Sequence, residues 1–463
     1  MTRNLTIISI LLLILPLATM ASVKLPQPEK FVLDNGLTVY FLQNSELPLV
    51  SFRVLIPGAG SAFEPQGFDG LANLTATLLL RGTKTLSAEE IAESLDFMGA
   101  RFRISDAEEY STVYGECLSE HLPKLFQIAA DCLISPAFKE DEYQKELSRK
   151  IDGLKAIKDN PGRALQLYFR KAYFGEHPLG QLSTGTDSSL KKMSLREVKK
   201  FFSARYRPDT AIMAVVGDIG REKLLGLLNQ SIGQWPKPSS PPLPVTIPPL
   251  PAPKGKKLIL VDKPDATQSY FALGASGFAV DDKIAAKASL MNTLWGGRFT
   301  SWLNTELRIK RGLTYGASSS FQSWKAGGIF MASSYTRNDK ISEMLDITFD
   351  LLQTAKEKGF SDEEVESGKN YLLGQFPRTL ETNASKASAY LRIVYYGLGF
   401  DYYDKYLTEI SSTRAEELKA CAKLLPAKDF VLVVVGKGDD IRTLLSKYGK
   451  FQEKKITDPD FGL

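Results

Sequence analysis

Two stretches of the chain carry residue types whose spacing could do chemistry. In "LWGGRFTSWLNTELRIKRGLTYGASSS", from Leu294 to Ser320, Arg311 and Tyr315 stand either side of Gly312. A guanidinium and a phenol are preorganised hydrogen-bond donors, suited to the oxyanion that develops in a tetrahedral intermediate. A purely structural reading stands beside that one. Gly296 and Gly297 would form a flexible loop, and a helix would run from about Thr300 to Lys310. Arg311 would then be the cation at its C-terminus, Gly312 the left-handed cap, and Tyr315 the first aromatic of a strand.

The second stretch is "GLANLTATLLLRGTKT", from Gly70 to Thr85, where Asn73, Ala76 and Thr77 share one face of a predicted helix. His at i and i+4 with Glu at i+3 on such a face would hold zinc and activate a bound water. This chain has only two histidines, His121 and His177, and neither has that partner. The Asn73 face carries small neutral groups that cannot bind zinc or polarise water. Asp152, a lone carboxylate on the charged helix "YQKELSRKIDGLKAIKDNP", reads as solvated. Three cysteines, Cys117, Cys132 and Cys421, cannot all pair and lie in apolar stretches, so they read as buried free thiols.

The surroundings of Asn73 nevertheless resemble the zinc helix of the pitrilysin and insulinase metallopeptidases (the inverzincins), whose pattern is G-L-A-H-x-x-E-H followed by a G-T pair. Matched residue by residue, Asn73 and Thr77 stand where that family has its two His ligands and Ala76 where it has the catalytic Glu. Gly153 stands where it has the third ligand. "YFGEHPLGQLSTGT" from Tyr173 resembles another recurrent segment of the family, which makes His177 structural. The R-G-L-x-Y motif is kept, and the resemblance implies that Arg311 and Tyr315 reach across a chamber to a zinc site, bind substrate backbone and stabilise the tetrahedral intermediate. Some bacterial members divide these parts between two chains, and this one is similar to the zinc-less kind. The resemblance thus implies no cofactor in this chain, and zinc in a homologous partner subunit bearing H-x-x-E-H. It implies peptide substrates held as an added strand, and a homodimer as the assembly open to the isolated chain. A non-catalytic peptide-binding or scaffold pseudo-peptidase is the alternative. A Ser or Cys hydrolase has little support, since no G-x-S-x-G occurs.

The elements that must position these residues are written twice. "FKEDEYQKEL" from Phe138 resembles "FSDEEVESGK" from Phe360, and "YFGEHPL" from Tyr173 resembles "YYGLGFD" from Tyr395, both 222 residues apart. Near the end of each half a capped helix leads into a strand closed by Gly, with Ser194 and Glu197, then Thr413 and Glu416, as the capping pairs. Each half opens with strands: "FVLDNGLTVYFLQ" is a hairpin around Asp34-Asn35-Gly36, and "LVSFRVLIP" follows it. The expected fold is α+β, with two homologous domains, each a mainly antiparallel sheet with helices packed on one face, as in the half-clamshell of the processing peptidases.

The expected segments are a signal peptide over 1–21, an N-terminal domain over 22–235, a Pro-rich linker over 236–257 and a C-terminal domain over 258–463. Arg3, the apolar run from Leu5 to Leu17 and the small residues before Ser22 make the leader secretory in type, hence an exported, periplasmic protein, with an uncleaved anchor as the alternative. Without the leader the net charge is +4, and the basic residues are interspersed with acidic ones. No single-sign stripe exists for nucleic acid.

Overall fold

The computed structural model describes residues 24–462, so the expected leader lies outside the described residues. Twelve strands are described: β1 (Glu29–Val32), β2 (Thr38–Gln43), β3 (Leu49–Pro57), β4 (Arg101–Asp106), β5 (Tyr110–Leu118), β6 (Ile212–Gly217), β7 (Lys256–Asp262), β8 (Gln268–Ser276), β9 (Ala317–Trp324), β10 (Gly327–Arg337), β11 (Phe430–Gly436) and β12 (Gln452–Lys455). They form two six-stranded sheets, ordered β1-β2-β6-β3-β5-β4 and β12-β7-β11-β8-β10-β9. Leaving aside the edge strands β1 and β12, the two orders are the same, as a duplication requires. Each sheet is mainly antiparallel, with a parallel pair at the equivalent place, β2 with β6 and β7 with β11, and the second sheet adds another at its edge, β12 with β7.

Local chemistry explains the opening hairpin. Gly36 takes φ +90°, and Leu33 N–H donates to Leu37 O at 3.0 Å, so β1 and β2 pair from Val32 opposite Thr38. The central strands β6 and β11 are almost wholly buried, in keeping with their near-continuous apolar sequences "IMAVVG" and "FVLVVVG".

One helix from each half crosses to the other, which the expectation of helices on one face does not include. Helix Pro161–Phe174, started by Asn160 accepting from Arg163 N–H and by Pro161 in its first turn, belongs to the first half yet packs on β8 and β11 of the second. Its Tyr168 hydroxyl donates to Lys455 O at 3.1 Å, and Phe169 lies so close over Gly274 that a Cβ there would sit 2.2 Å from the ring. Helix Asn383–Tyr396 begins 222 residues later and does the converse, covering β3 and β6. Tyr390 and Ile393 are buried there, and Asn383 donates to Leu49 O at 3.1 Å. Each sheet is therefore sandwiched between its own helices and one from the other half. With full burial of a large apolar side chain stabilising by roughly 1.5–3 kcal/mol, these two helices make the halves one interlocked body.

The Pro-rich run lies along the molecule as a strap between the halves. Arg207 and Arg205 donate to Ser240 O and Pro244 O, His177 Nε2 meets Pro248 O at 3.0 Å, and Leu250 N–H donates to Ala326 O at 3.1 Å. The run gives way to β7 at Lys256, so its last two residues are strand. A second difference lies near the C-terminus: the helix Ala415–Cys421 is started by Arg414 and Glu417, one residue beyond the expected pair, with Arg414 N–H donating to Glu417 Oε2 at 2.9 Å. The three cysteines are free and buried, and burial pushes the Cys117 and Cys132 thiols up to about 12 and Cys421 up to about 11.

Candidate functional site

Helix Leu71–Leu78 is fixed at its start by Gly70, whose φ of +91°, and the 2.9 Å at which a Cβ there would meet the Gly185 backbone, exclude a side chain. Glu64 serves its first turn, accepting from Ala72 N–H at 2.7 Å and Gly70 N–H at 3.2 Å. Burial pushes the Glu64 carboxyl well above the usual carboxylate range, against those two bonds. Leu71, Leu74 and Leu78 pack into the core, leaving Asn73 and Thr77 half-buried on the opposite side and Ala76 buried beside them.

Asn73 Nδ2 donates to Asp106 Oδ1 at 2.8 Å, and its Oδ1 accepts from Lys150 Nζ at 2.7 Å. Lys150 also donates to Ser183 O at 2.9 Å. Thr77 Oγ1 bonds back to Asn73 O at 2.9 Å, which compensates a Thr in a helix interior. Burial lowers the Lys150 ammonium from its ordinary value, while Asp106, Glu64 and Glu146 act the other way. Burial likewise raises Asp106, with the Asn73 bond and Lys150 opposing. The face is thus a hydrogen-bonded chain of ammonium, amide and carboxylate.

These residues do not fit zinc. The donors at the two imidazole positions are an amide and a back-bonded hydroxyl, a methyl stands for the base, and an ammonium lies against position 73. Among the described residues no three His, Cys, Asp or Glu side chains gather as a metal site. Nothing in the sequence singles out Lys150 or Asp106 as part of this face. Lys150 lies one helical turn before Gly153 in helix Glu140–Asp159, so it is the residue of that face that reaches Asn73. Gly153 is exposed, and a Cβ on it would meet nothing within 4 Å. Asp152 is solvated as expected and pairs with Lys155 at 3.3 Å.

Around Arg311 the structure departs from the expected regular helix. A short α-turn, Trp302–Asn304, opens into a wide π-helical turn over Thr305–Lys310, with Arg311 as its last half-helical residue and Gly312 at φ +61°. Gly296 and Gly297 likewise belong to a π-helical turn, Thr293–Gly297, packed under Ser319 and Asn292, and form no flexible loop. Tyr315 precedes the strand, which starts at Ala317. The loop between is pinned by hydroxyls: Thr336 donates to Leu313 O at 2.7 Å, and Ser334 and Thr314 donate to Gly316 O at 3.0 Å each. Tyr315 is 80% exposed on this pinned loop. The Arg311 side chain is half exposed, and its one ion pair among the described residues is long, 3.8 Å to a Glu306 carboxylate already held by Lys310 at 2.5 Å. Among the described residues no hydrogen bond or ion pair joins Arg311 to Tyr315 or either of them to the Asn73 face.

Two family models match in tandem along these halves. Residues 39–187 match the insulinase model of peptidase family M16, and residues 192–372 match the model described as the peptidase M16 inactive domain. The chain belongs to the insulinase-like M16 peptidase family. Its M16 relatives include an uncharacterized zinc protease of Bacillus subtilis, 24% identical over 88% of this chain and 98% of that protein. Another from Mycobacterium tuberculosis is 26% identical over 90% of this chain and 95% of that one. Among solved structures, a peptidase M16 inactive domain from Pseudomonas fluorescens superposes with a TM-score of 0.81 at 26% identity, covering 88% of this chain and 98% of that one. A protease from Helicobacter pylori shares the fold, with a TM-score of 0.83 at 22% identity over 89% and 99% of the two chains. Within M16, the inactive-domain match and the Asn73 face fit a non-catalytic chain.

Proposed function

We propose that this chain is the zinc-less subunit of an exported, heteromeric M16 zinc metallopeptidase, pairing with a homologous chain that carries H-x-x-E-H. In the assembled enzyme the partner's zinc supplies the activated water. Arg311 and Tyr315 of this chain bind the peptide backbone and donate to the oxyanion. The observation that supports this reading is the contrast between the two halves. Lys150 closes the Asn73 face with bonds of its own, while the R-G-L-x-Y loop is rigid and holds its guanidinium and phenol out to solvent.

The test is peptidase activity of this chain alone, of the partner alone, of the two mixed, and of the mixture with Arg311→Ala. Activity should require both chains. Losing one oxyanion donor should lower kcat by roughly two to three decades. Equal activity with and without the substitution removes Arg311 from the mechanism. A second reading, a non-catalytic peptide-binding scaffold, draws on the inactive-domain model, whose matched span includes Arg311 and Tyr315. It expects full function from Arg311→Ala.

A further inference from the structure

The two crossing helices carry an arginine at the same place. Arg170 and Arg392 are 222 residues apart, like the helices themselves. Each guanidinium lies over an aromatic ring one turn further on, Phe174 at 5.5 Å and Tyr396 at 5.6 Å. What the two guanidiniums meet is different. Arg170 donates to the Glu108 carboxylate, on the turn between β4 and β5, at 2.9 Å. Arg392 forms no ion pair among the described residues. The corresponding turn, between β9 and β10, brings the like charge of Lys325, whose ammonium lies 4.2 Å from the centre of the Tyr395 ring.

Arg392 lines a cavity of about 1000 Å³, at the upper end of the roughly 300–1,000 Å³ range of small-molecule sites. Ser388 and Ala389 of the same helix face line it too, as their counterparts Gln166 and Leu167 line a smaller cavity beside Arg170. The wall opposite is aromatic, made by Phe278, Phe321, Phe376, Tyr402, Tyr403 and Tyr406. Tyr406 is fixed by its hydroxyl, which donates to Ser289 Oγ at 2.8 Å, and Tyr402 stacks on it with centroids 6.2 Å apart. The three tyrosines are half-buried and Arg392 is exposed, so all four offer surface to a ligand. Burial raises the Tyr403 and Tyr406 hydroxyls, and Arg392 is close enough to act against that rise. The cavity is lined by one carboxylate, Glu108, which Arg170 already holds.

A solvated arginine needs no partner. What singles out Arg392 is that its duplicate holds a carboxylate while it borders a large aromatic cavity instead. A guanidinium takes a carboxylate in charge-assisted bonds, and the tyrosine wall takes an apolar body. In a peptide, only the C-terminal residue carries a carboxylate and a large apolar side chain on the same carbon. We propose that this cavity binds peptides by their C-terminal residue, with the terminal carboxylate on Arg392 and an apolar or aromatic side chain among the tyrosines. The assignment rests on the reading of the chain as peptide-binding, which both functions above share, and it needs neither zinc nor a second chain.

Titration calorimetry on the full chain tests it with three peptides: acetyl-Ala-Leu-Phe, its C-terminal amide, and acetyl-Ala-Phe-Glu amide, whose only carboxylate is on a side chain. Saturable binding is expected for the first. The other two should bind about tenfold or more weakly, as loss of a charge-assisted bond implies. Arg392→Gln should remove the advantage of the free acid and leave the affinity for the amides unchanged. Equal affinity for acid and amides overturns the C-terminal assignment while leaving peptide binding in place. An acid preference that survives Arg392→Gln overturns the role of Arg392. No saturable binding of any form into the millimolar range overturns the site, and the subunit reading is then decided by the two-chain peptidase assay alone. The acid and amide comparison uses the unaltered chain, so it holds even where a variant fails to fold.

Discussion

Writing the family's ligands back into the first half, as Asn73→His, Ala76→Glu, Thr77→His and Gly153→Glu, should give only weak zinc binding while Lys150 remains. Gly153 has open space for the new side chain. The obstacle is charge. Lys150 Nζ lies 2.7 Å from the side-chain oxygen of residue 73. With a zinc–nitrogen bond of about 2.1 Å, a metal bound by a nitrogen at that place would be within about 4.8 Å of the ammonium. At an effective dielectric of about 20, a double charge facing a single one at that distance costs about 7 kcal/mol. Giving up the proton is cheaper, about 4 kcal/mol at pH 7.5 from an ordinary lysine pKa. Burial already lowers that pKa, which reduces the cost further. The cheaper route sets the penalty at no more than about 4 kcal/mol, or up to about three decades in Kd. Adding Lys150→Met should recover that factor. Competition with a chromophoric chelator measures both forms. Because zinc must displace a proton only where Lys150 is present, the gap should narrow as pH rises. Equal affinity with and without Lys150 would refute the electrostatic account, and no binding in either form would refute the residue-by-residue correspondence.

Glu64 carries a pH signature: its folded carboxyl titrates well above its unfolded value of about 4.3. The folded state therefore holds the extra proton between those values, and stability should fall as pH rises through that window. Glu64→Gln should flatten the slope in urea unfolding, leaving the smaller contributions of the same sign from Asp106 and Glu109, whereas an unchanged slope would contradict the burial of Glu64. Tyr396→Phe removes the 2.6 Å bond to the buried Glu109 carboxylate across the two halves. The loss should destabilise the chain by about 1–3 kcal/mol in denaturant titrations, and a change under about 0.5 kcal/mol would show the bond to be immaterial. Because each half covers the other's sheet, residues 24–254 and 255–462 made separately should stay unfolded or aggregate and recover only when combined. The whole chain should melt in one transition, and two well-separated transitions would refute the interlock.

What is legible in the sequence is local. Asp34-Asn35-Gly36 announces its turn because a left-handed backbone needs Gly, and the apolar run "LVSFRVLIP" coincides residue for residue with the third strand, Leu49–Pro57. The duplication is legible because landmarks keep both order and spacing, and the matching strand orders follow from it. The crossing of helices Pro161–Phe174 and Asn383–Tyr396 is not legible. An amphipathic pattern shows that a helix has an apolar face but not which sheet receives it. The same holds for the wide turn at Thr305–Lys310, whose spacing passes for an α-helix because only tertiary contacts separate buried Leu307 from exposed Ile309. Lys150 is hidden by its company: Lys145, Lys155 and Lys150 look alike on a charged helix. Only packing shows that the first two pair with carboxylates of their own helix while the third reaches Asn73.

The two halves keep one topology and have diverged in opposite senses without disturbing either core. In the first, the positions that carry the ligands in the family are taken up by a chain of ammonium, amide and carboxylate bonded to one another. In the second, hydroxyls from β10 hold the backbone at Leu313 and Gly316 while Tyr315 and half of Arg311 stay in solvent. A rigid loop loses little conformational freedom when its side chains are covered, so the gain from new bonds is not consumed in ordering the loop. Exposed donors on a fixed backbone are what recognition of an incoming polar group requires. In the proposed role, the pinning of the R-G-L-x-Y loop is what its arginine and tyrosine need to act as more than a helix cap and a surface aromatic.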